Sequence, residues 1–213
     1  MHSATKWIVA IGLAFGMAGC QTTGGIIGGL IPAPKMTQGE LSNGRYTAKD
    51  HTFSVDSPFA TDSIAYTYMS ITEDYQEGED HIIFASSAAP TEVYRVDVIK
   101  QVRNEPALRE LILSKYKEVF ESSYKAPMQL QGNEPVSISG LDSTASSFVQ
   151  EVPERRSGGQ VAHGFTALFT YYYLERNGNA YAILVNRAAP DDAGFAEGAE
   201  GRVSKFIRSF QAN

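Results

Sequence analysis

The chain has 213 residues, of which 18 are basic and 24 acidic, and its formal net charge is −6. An acidic chain repels the phosphate backbone of nucleic acids on average, so we expect no nucleic-acid partner. The length is typical of one domain and is sufficient for a hydrophobic core.

The first nineteen residues have the layout of an export signal. The amine of Met1 and the side chain of Lys6 supply positive charge, and the uncharged run WIVAIGLAFGM follows from Trp7 to Met17. A helix that crosses a bilayer needs about 20 apolar residues, so this run is too short for a permanent span. We therefore predict a signal peptide over residues 1–19.

The single cysteine, Cys20, comes directly after this segment. Met17, Ala18, Gly19 and Cys20 resemble the lipobox of bacterial lipoproteins. The resemblance implies cleavage after Gly19 and a diacylglyceryl group on the sulfur of Cys20, which becomes the acylated, palmitate-bearing N-terminus. By the rule of that family, Gln21 in the next position implies sorting to the outer membrane, facing the periplasm. The alternative is an inert, buried cysteine.

Residues 20–39 are predicted to form a lipidated N-terminus and a flexible tether. The stretch TTGGIIGGLIPAPKMTQG contains paired glycines and two prolines, which disfavour a folded element. The stretch also contains four apolar residues, Ile26, Ile27, Leu30 and Ile31. They could lie against lipid headgroups, or they could form a short strand or turn that packs on the domain, and the sequence is compatible with both.

The domain, residues 40–213, begins with segments that are typical of short strands. RYTA, HTFSVDSP, SIAYTYMSI and HIIFAS alternate β-branched or aromatic residues with small or polar ones. VYRVDVIKQV continues the pattern, with Tyr94, Val96 and Val98 on one face and Arg95 and Asp97 on the other. The polar face is therefore expected to meet water.

A helix of about five turns is predicted next, because the hydrophobic period changes. Asn104 is a candidate N-cap, with Pro106 in the first turn. The apolar stripe is expected to cover the sheet: Leu108, Leu111, Ile112, Tyr116, Val119, Phe120 and Tyr124.

The strands resume with PVSISG and STASSFVQEV and continue in a long hairpin, FTALFTYYYLE, RNGN, AYAILVNR. A tight turn at Asn177-Gly178 predicts four opposed pairs: Tyr173 with Ala182, Tyr171 with Leu184, Leu174 with Tyr181, and Tyr172 with Ile183. Both faces of the hairpin are apolar, which favours a central position in the sheet.

A second amphipathic helix is predicted at the end of the chain, because Val203, Phe206, Ile207 and Phe210 recur at helical spacing. Asp191 and Asp192 precede it, where acidic residues favour a helix N-terminus, so we interpret them as capping residues rather than as a catalytic pair.

The fold class predicted from this order is α+β, with a mostly antiparallel central sheet flanked by helices. Four parts of the sequence resemble the PsbP/Mog1-like fold, which is an α/β/α sandwich. They are GRYTAKDHTFSVDSP, VSISGLDSTASSFV, the long hairpin and SKFIRSFQ. That group includes small bacterial lipoproteins, and its function is mostly binding or assembly. The resemblance thus implies a bacterial lipoprotein with a PsbP/Mog1-like domain.

The local sequence predicts no catalytic residue, no metal site and no cofactor. His51, His81 and His163 lie far apart, and no nucleophile elbow, phosphate loop or dinucleotide fingerprint occurs. Arg155 and Arg156 stand among acidic and small residues and are interpreted as part of a solvated loop.

Two classes of function remain. The first is a lipid-anchored cell-envelope protein that acts as a binding or assembly module, with the membrane and an unidentified envelope protein as partners. The second is an envelope enzyme, or a small-ligand or metal-binding protein, whose site is assembled from residues distant in sequence. The anchor and the family resemblance favour the first, and we expect no catalytic activity.

Overall fold

The computed structural model describes residues 39–59, 67–70, 79–86, 90–100, 102, 107–157, 160–190 and 194–213. Thirteen strands and two helices lie in these ranges. The strands are β1 Glu40–Ser42, β2 Arg45–Thr47, β3 Phe53–Asp56, β4 Thr67–Ser70, β5 Glu79–Ser86, β6 Thr91–Ile99, β7 Gln129–Ile138, β8 Leu141–Val152, β9 Arg155–Ser157, β10 Gln160–Ala162, β11 Phe165–Arg176, β12 Asn179–Pro190 and β13 Gln211–Ala212. The helices are α1 Leu108–Tyr124 and α2 Ala199–Ser209.

The centre of the fold is a seven-stranded sheet in the order β4-β5-β6-β12-β11-β8-β7. All of its neighbouring strands are antiparallel. A smaller antiparallel sheet has the order β1-β2-β3-β13. The predicted α+β class with a mostly antiparallel central sheet is confirmed.

The β11–β12 hairpin has the predicted register and the predicted central place. Tyr173 lies opposite Ala182 and Tyr172 opposite Ile183, and the other two predicted pairs are also present. Each strand has a second partner, β8 for β11 and β6 for β12. The hairpin therefore has sheet on both sides, as its two apolar faces predicted.

The turn of this hairpin depends on positive φ angles, which are 52° at Asn177 and 75° at Gly178. A Cβ added at Gly178 would have no atom within 4 Å, so a larger side chain there meets backbone strain alone. We expect Gly178→Val to lower the free energy of unfolding by about 1 kcal/mol or more, measured by urea denaturation.

The matched control for this turn is Gly132→Val. Gly132 lies in β7, also has open space around its Cβ position, and is not among the glycines with positive φ. We expect this substitution to be neutral or stabilising, because valine favours extended backbone. Equal costs at the two positions would contradict the argument from the turn.

The central sheet has a hydrophobic core on each face. One core joins residues of β11 and β12 such as Tyr172 and Ile183 to the small sheet and to Phe206 of α2. The other joins Tyr171 and Leu184 to α1. Helices thus flank the sheet on both sides, as predicted, and the small sheet shares the layer of α2.

The polar face of β6 is buried, so the expectation that it meets water is wrong. Arg95 is 1% exposed and Asp97 is 2% exposed. The physical reason is that α1 covers this face, and the hydroxyl of its Tyr116 donates a hydrogen bond to Asp97 Oδ2. Polar alternation indicated the two faces of the strand correctly, but both faces are buried: Tyr94, Val96 and Val98 lie in one core, and Arg95 and Asp97 lie beneath α1.

The helices differ from the predicted ones in detail. In α1, Ile112, Tyr116 and Phe120 are buried, but Leu111 is 40% exposed and leaves the predicted stripe. Asn104 and Pro106 lie outside the described residues. No helix in the part of the chain that the structure describes is long and apolar enough to cross a bilayer.

The second helix begins later than expected. The residue at the N-cap position of α2 is Gly198 rather than Asp191 or Asp192, so the capping interpretation of these two acids is wrong. Phe206 and Ile207 point into the core, as predicted, and the helical spacing indicated them correctly.

Arg155 belongs to a short strand and not to a solvated loop, which corrects the interpretation of that stretch. β9 pairs with β10 as a separate ribbon. The guanidinium of Arg155 donates to the carbonyls of Tyr124 and Lys125, at the end of α1. A cation at a helix C-terminus satisfies carbonyls that have no partner within the helix, so Arg155 stabilises that end.

Candidate functional site

An open groove lies between α2 and β3, on the side of the fold that carries the small sheet. The helix is amphipathic, so Phe206 and Ile207 enter the core while other residues of α2 face solvent. We call this surface the α2 groove, and its lining residues are Asp56, Gly201, Ser204, Lys205, Arg208 and Ser209.

Arg45 of β2 fixes the sheet side of the α2 groove. Its Nη1 lies 2.6 Å from Asp56 Oδ1. Its Nη2 donates to Ser54 Oγ at 2.7 Å and to Gln211 Oε1 at 2.9 Å. The backbone N–H of Asp56 also donates to Ser209 Oγ at 2.9 Å, which joins β3 to the last turn of α2. The charge of Asp56 is thereby balanced by a guanidinium within the wall of the groove.

Lys205 and Arg208 supply the positive charge of the α2 groove. Both are exposed, and among the described residues neither makes a side-chain hydrogen bond or an ion pair. Glu200, an acidic residue in the first turn of the same helix, forms an ion pair with Arg187. Two cations beside a neutralised carboxylate give the groove a net positive charge in an acidic protein, so it is suited to an anion.

The N-terminal half of α2 is held by a buried carboxylate on β6. Glu92 is 3% exposed and accepts hydrogen bonds from Tyr94 Oη at 2.5 Å and from Arg202 Nε at 2.9 Å. Burial and the neighbouring Glu92 carboxylate raise the pKa of the Tyr94 hydroxyl. These contacts fix the orientation of α2, and hence the direction in which Lys205 and Arg208 project.

The Arg95–Asp97 pair lies on the opposite face of the sheet, enclosed by α1. Arg95 Nε and Nη2 donate to the two oxygens of Asp97 at 2.6 and 2.7 Å. Burial alone would lower the pKa of Arg95, but the charge of Asp97 outweighs burial and raises it. Burial and Asp97 also raise the pKa of the Tyr116 hydroxyl. Because the cluster is sealed from solvent, it holds α1 to the sheet.

The two histidines whose side chains are described lie at opposite ends of the central strands. The turn that carries His51 accepts a hydrogen bond from Tyr181, near the start of β12. His163 lies just before β11, which begins opposite Pro190 at the end of β12. At about 3.3 Å per residue, Tyr181 and Pro190 are about 30 Å apart along β12. Both side chains are exposed, and the structure does not bring them into one site.

Other residues singled out in the sequence are not among those that the structure describes. Cys20, Asp191, Asp192 and the side chain of His81 lie outside the described residues. In the ranges that the structure does describe, no group of three or more His, Cys, Asp or Glu side chains is arranged to hold a metal ion.

The α2 groove was not predicted from the sequence, although one signal for it was present. Lys205 and Arg208 are three residues apart in SKFIRSFQ, so a helix places them on one face, opposite the apolar residues. The other wall could not be found this way, because Arg45 and Asp56 come from strands more than a hundred residues earlier in the chain.

Comparisons with known proteins identify structures of similar outline. No family model matches the chain, and no curated protein matches it either. The solution structure of cyanobacterial PsbP from Synechocystis sp. PCC 6803 is similar with a TM-score of 0.48 and 13% identity, over 89% of this chain and 98% of that one. The Ran-binding protein Mog1p of Saccharomyces cerevisiae has a TM-score of 0.44 and 10% identity, over 81% and 96%. LpqN of Mycobacterium tuberculosis, described as involved in cell envelope biogenesis, has a TM-score of 0.34 and 11% identity, over 68% and 83%.

Proposed function

We propose that this protein is a lipid-anchored binding module of the cell envelope, held by Cys20 in the outer membrane on its periplasmic side, and that the α2 groove contacts another envelope component. The observation that carries the proposal is a pair of exposed cations, Lys205 and Arg208, which have no ion-pair partner among the described residues and lie in an open groove of an acidic protein. Exposed charge that stabilises no other part of the described fold is available to attract and orient a partner of opposite charge.

The position of the α2 groove supports this function. Glu40, in the first strand, lies opposite Thr47, and Thr47 lies opposite Ser54 of β3. Two strand spacings of about 4.8 Å therefore place Glu40 about 10 Å from Ser54, which is two residues from Asp56. The described part of the chain thus begins close to the groove, where we expect the tether to join the domain.

The predicted tether would also make weak contacts effective. A flexible chain of the length of residues 20–38 has a root-mean-square extension of about 25 Å. A domain held at that distance from a membrane has a high effective concentration for components of the same surface. A shallow groove with few contacts is then sufficient for function.

Site-specific photo-crosslinking in intact cells tests the proposal. A photoreactive amino acid replaces Ser204 in the groove, and the control places it at Ser114, on the exposed side of α1 beyond the central sheet. We expect an adduct with an envelope component from position 204 and none from position 114. Equal adducts, or no adduct from position 204, would contradict a contact through this groove.

A further inference from the structure

We infer that the α2 groove docks the phosphate groups of anionic lipids in the membrane that carries the anchor. The inference rests on the proposed function and names the ligand class of its groove. Its elements are the cations Lys205 and Arg208, the hydroxyl of Ser204 and the open position at Gly201.

The lining of the α2 groove suits a phosphate better than a protein surface. Among the described residues that line it, none is aromatic or large and apolar. Contacts between proteins usually depend on buried aromatic side chains, which the described lining does not supply. Arginine matches phosphate oxygens with two parallel donors, lysine adds a compact charge, and a serine hydroxyl adds a further donor.

The charge distribution selects one approach to such a membrane. The chain after residue 19 has 17 basic and 24 acidic residues, a net charge of −7, so an anionic surface repels most orientations of the domain. Lys205 and Arg208 give their side of the domain positive charge, since Arg45 already balances the carboxylate of Asp56. The first strand lies about 10 Å from the β3 wall, so a tether with an extension of about 25 Å would allow the groove to reach the headgroups.

Binding to vesicles tests the inference with the chain from residue 20 in its Cys20→Ser form, which has no acyl group. At low ionic strength we expect it to bind vesicles that contain phosphatidylglycerol and not vesicles of phosphatidylcholine alone. Each cation near an anionic surface contributes about fivefold, so Lys205→Gln with Arg208→Gln should weaken binding about 30-fold.

The matched control is Lys115→Gln with Lys117→Gln on α1, which makes the same change of net charge on the other side of the central sheet. We expect at most a twofold loss for this pair. An equal loss in the two pairs would overturn the inference, because the attraction would then be general and not placed in the groove.

Gly201 offers a second pair of variants that leave the fold intact. A Cβ there would have no atom within 4 Å, and residues with side chains favour a helix over glycine. We expect Gly201→Lys to strengthen vesicle binding about fivefold and Gly201→Glu to weaken it by a similar factor. Thermal unfolding should show both variants at least as stable as the parent chain. No change in binding for either would contradict the assignment.

Two outcomes separate this inference from the proposed function. If inorganic phosphate alone binds the groove while vesicles do not, the ligand is a free phosphate and the membrane contact is wrong. If neither binds, but the photoreactive residue at 204 still captures an envelope protein, the inference fails and the binding function stands. If neither the adduct nor vesicle binding is observed, both the inference and the proposed function are wrong.

Discussion

Replacing Asp97 with alanine is expected to lower the free energy of unfolding by about 3–5 kcal/mol. Asp97 accepts two hydrogen bonds from Arg95 and one from Tyr116 beneath α1, and Arg95 is 1% exposed. Removing the carboxylate takes two hydrogen bonds and a neighbouring opposite charge from a buried guanidinium, in a place that water does not reach. Urea denaturation measures the change, and α1 should also lose protection from hydrogen exchange.

The control for this effect is Asp50→Ala. Asp50 forms an ion pair with Lys100, but both side chains are partly exposed to solvent. We expect a loss of less than about 1 kcal/mol there, because water screens the pair and solvates what remains. The double variant Arg95→Met with Asp97→Leu should recover most of the stability that Asp97→Ala loses. A small effect of Asp97→Ala would mean that the pair is accessible to water.

Replacing Cys20 with serine is expected to release the protein from the membrane. A serine oxygen does not form the thioether that the lipobox resemblance implies, so no acyl chain is attached. Each buried methylene contributes about 0.8 kcal/mol, so the loss of all acyl chains removes the anchor altogether. In cell fractionation, we expect the parent chain in the membrane fraction and the Cys20→Ser variant in other fractions.

The matched control is Thr22→Ser, a change of similar size two residues further along the chain. It leaves the cysteine and the residues that precede it unchanged, so the protein should remain with the membrane. Retention of the Cys20→Ser variant in the membrane, at the level of Thr22→Ser, would contradict anchoring through the sulfur.

The central hairpin could be predicted from the sequence because its determinants are local. Asn177 and Gly178 fix the turn, and the period of two in each strand then fixes every opposed pair. The apolar stripes of α1 and α2 were also visible, since burial of a helix face follows a single period. These elements decide the α+β class.

Burial of the polar face of β6 could not be predicted in this way. The alternation of polar residues predicted that Arg95 and Asp97 lie on a solvated face of the strand. They are buried because α1 packs on that face. The small sheet could not be predicted from local sequence either, because β13 has only two residues and pairs with β3, which lies far from it in the chain. Likewise, one wall of the α2 groove comes from Arg45 and Asp56, and no local pattern connects them with α2.

Anchoring through Cys20 is tested most directly by the mass of the N-terminal peptide of the protein purified from membranes. We predict a chain that begins at Cys20 and carries a diacylglyceryl group on its sulfur, with the tether residues unmodified. A peptide that still contains residues 1–19, or one that begins at Cys20 with an unmodified thiol, would contradict it. The anchor would then be absent, and the argument that it brings the α2 groove to the membrane would fail with it.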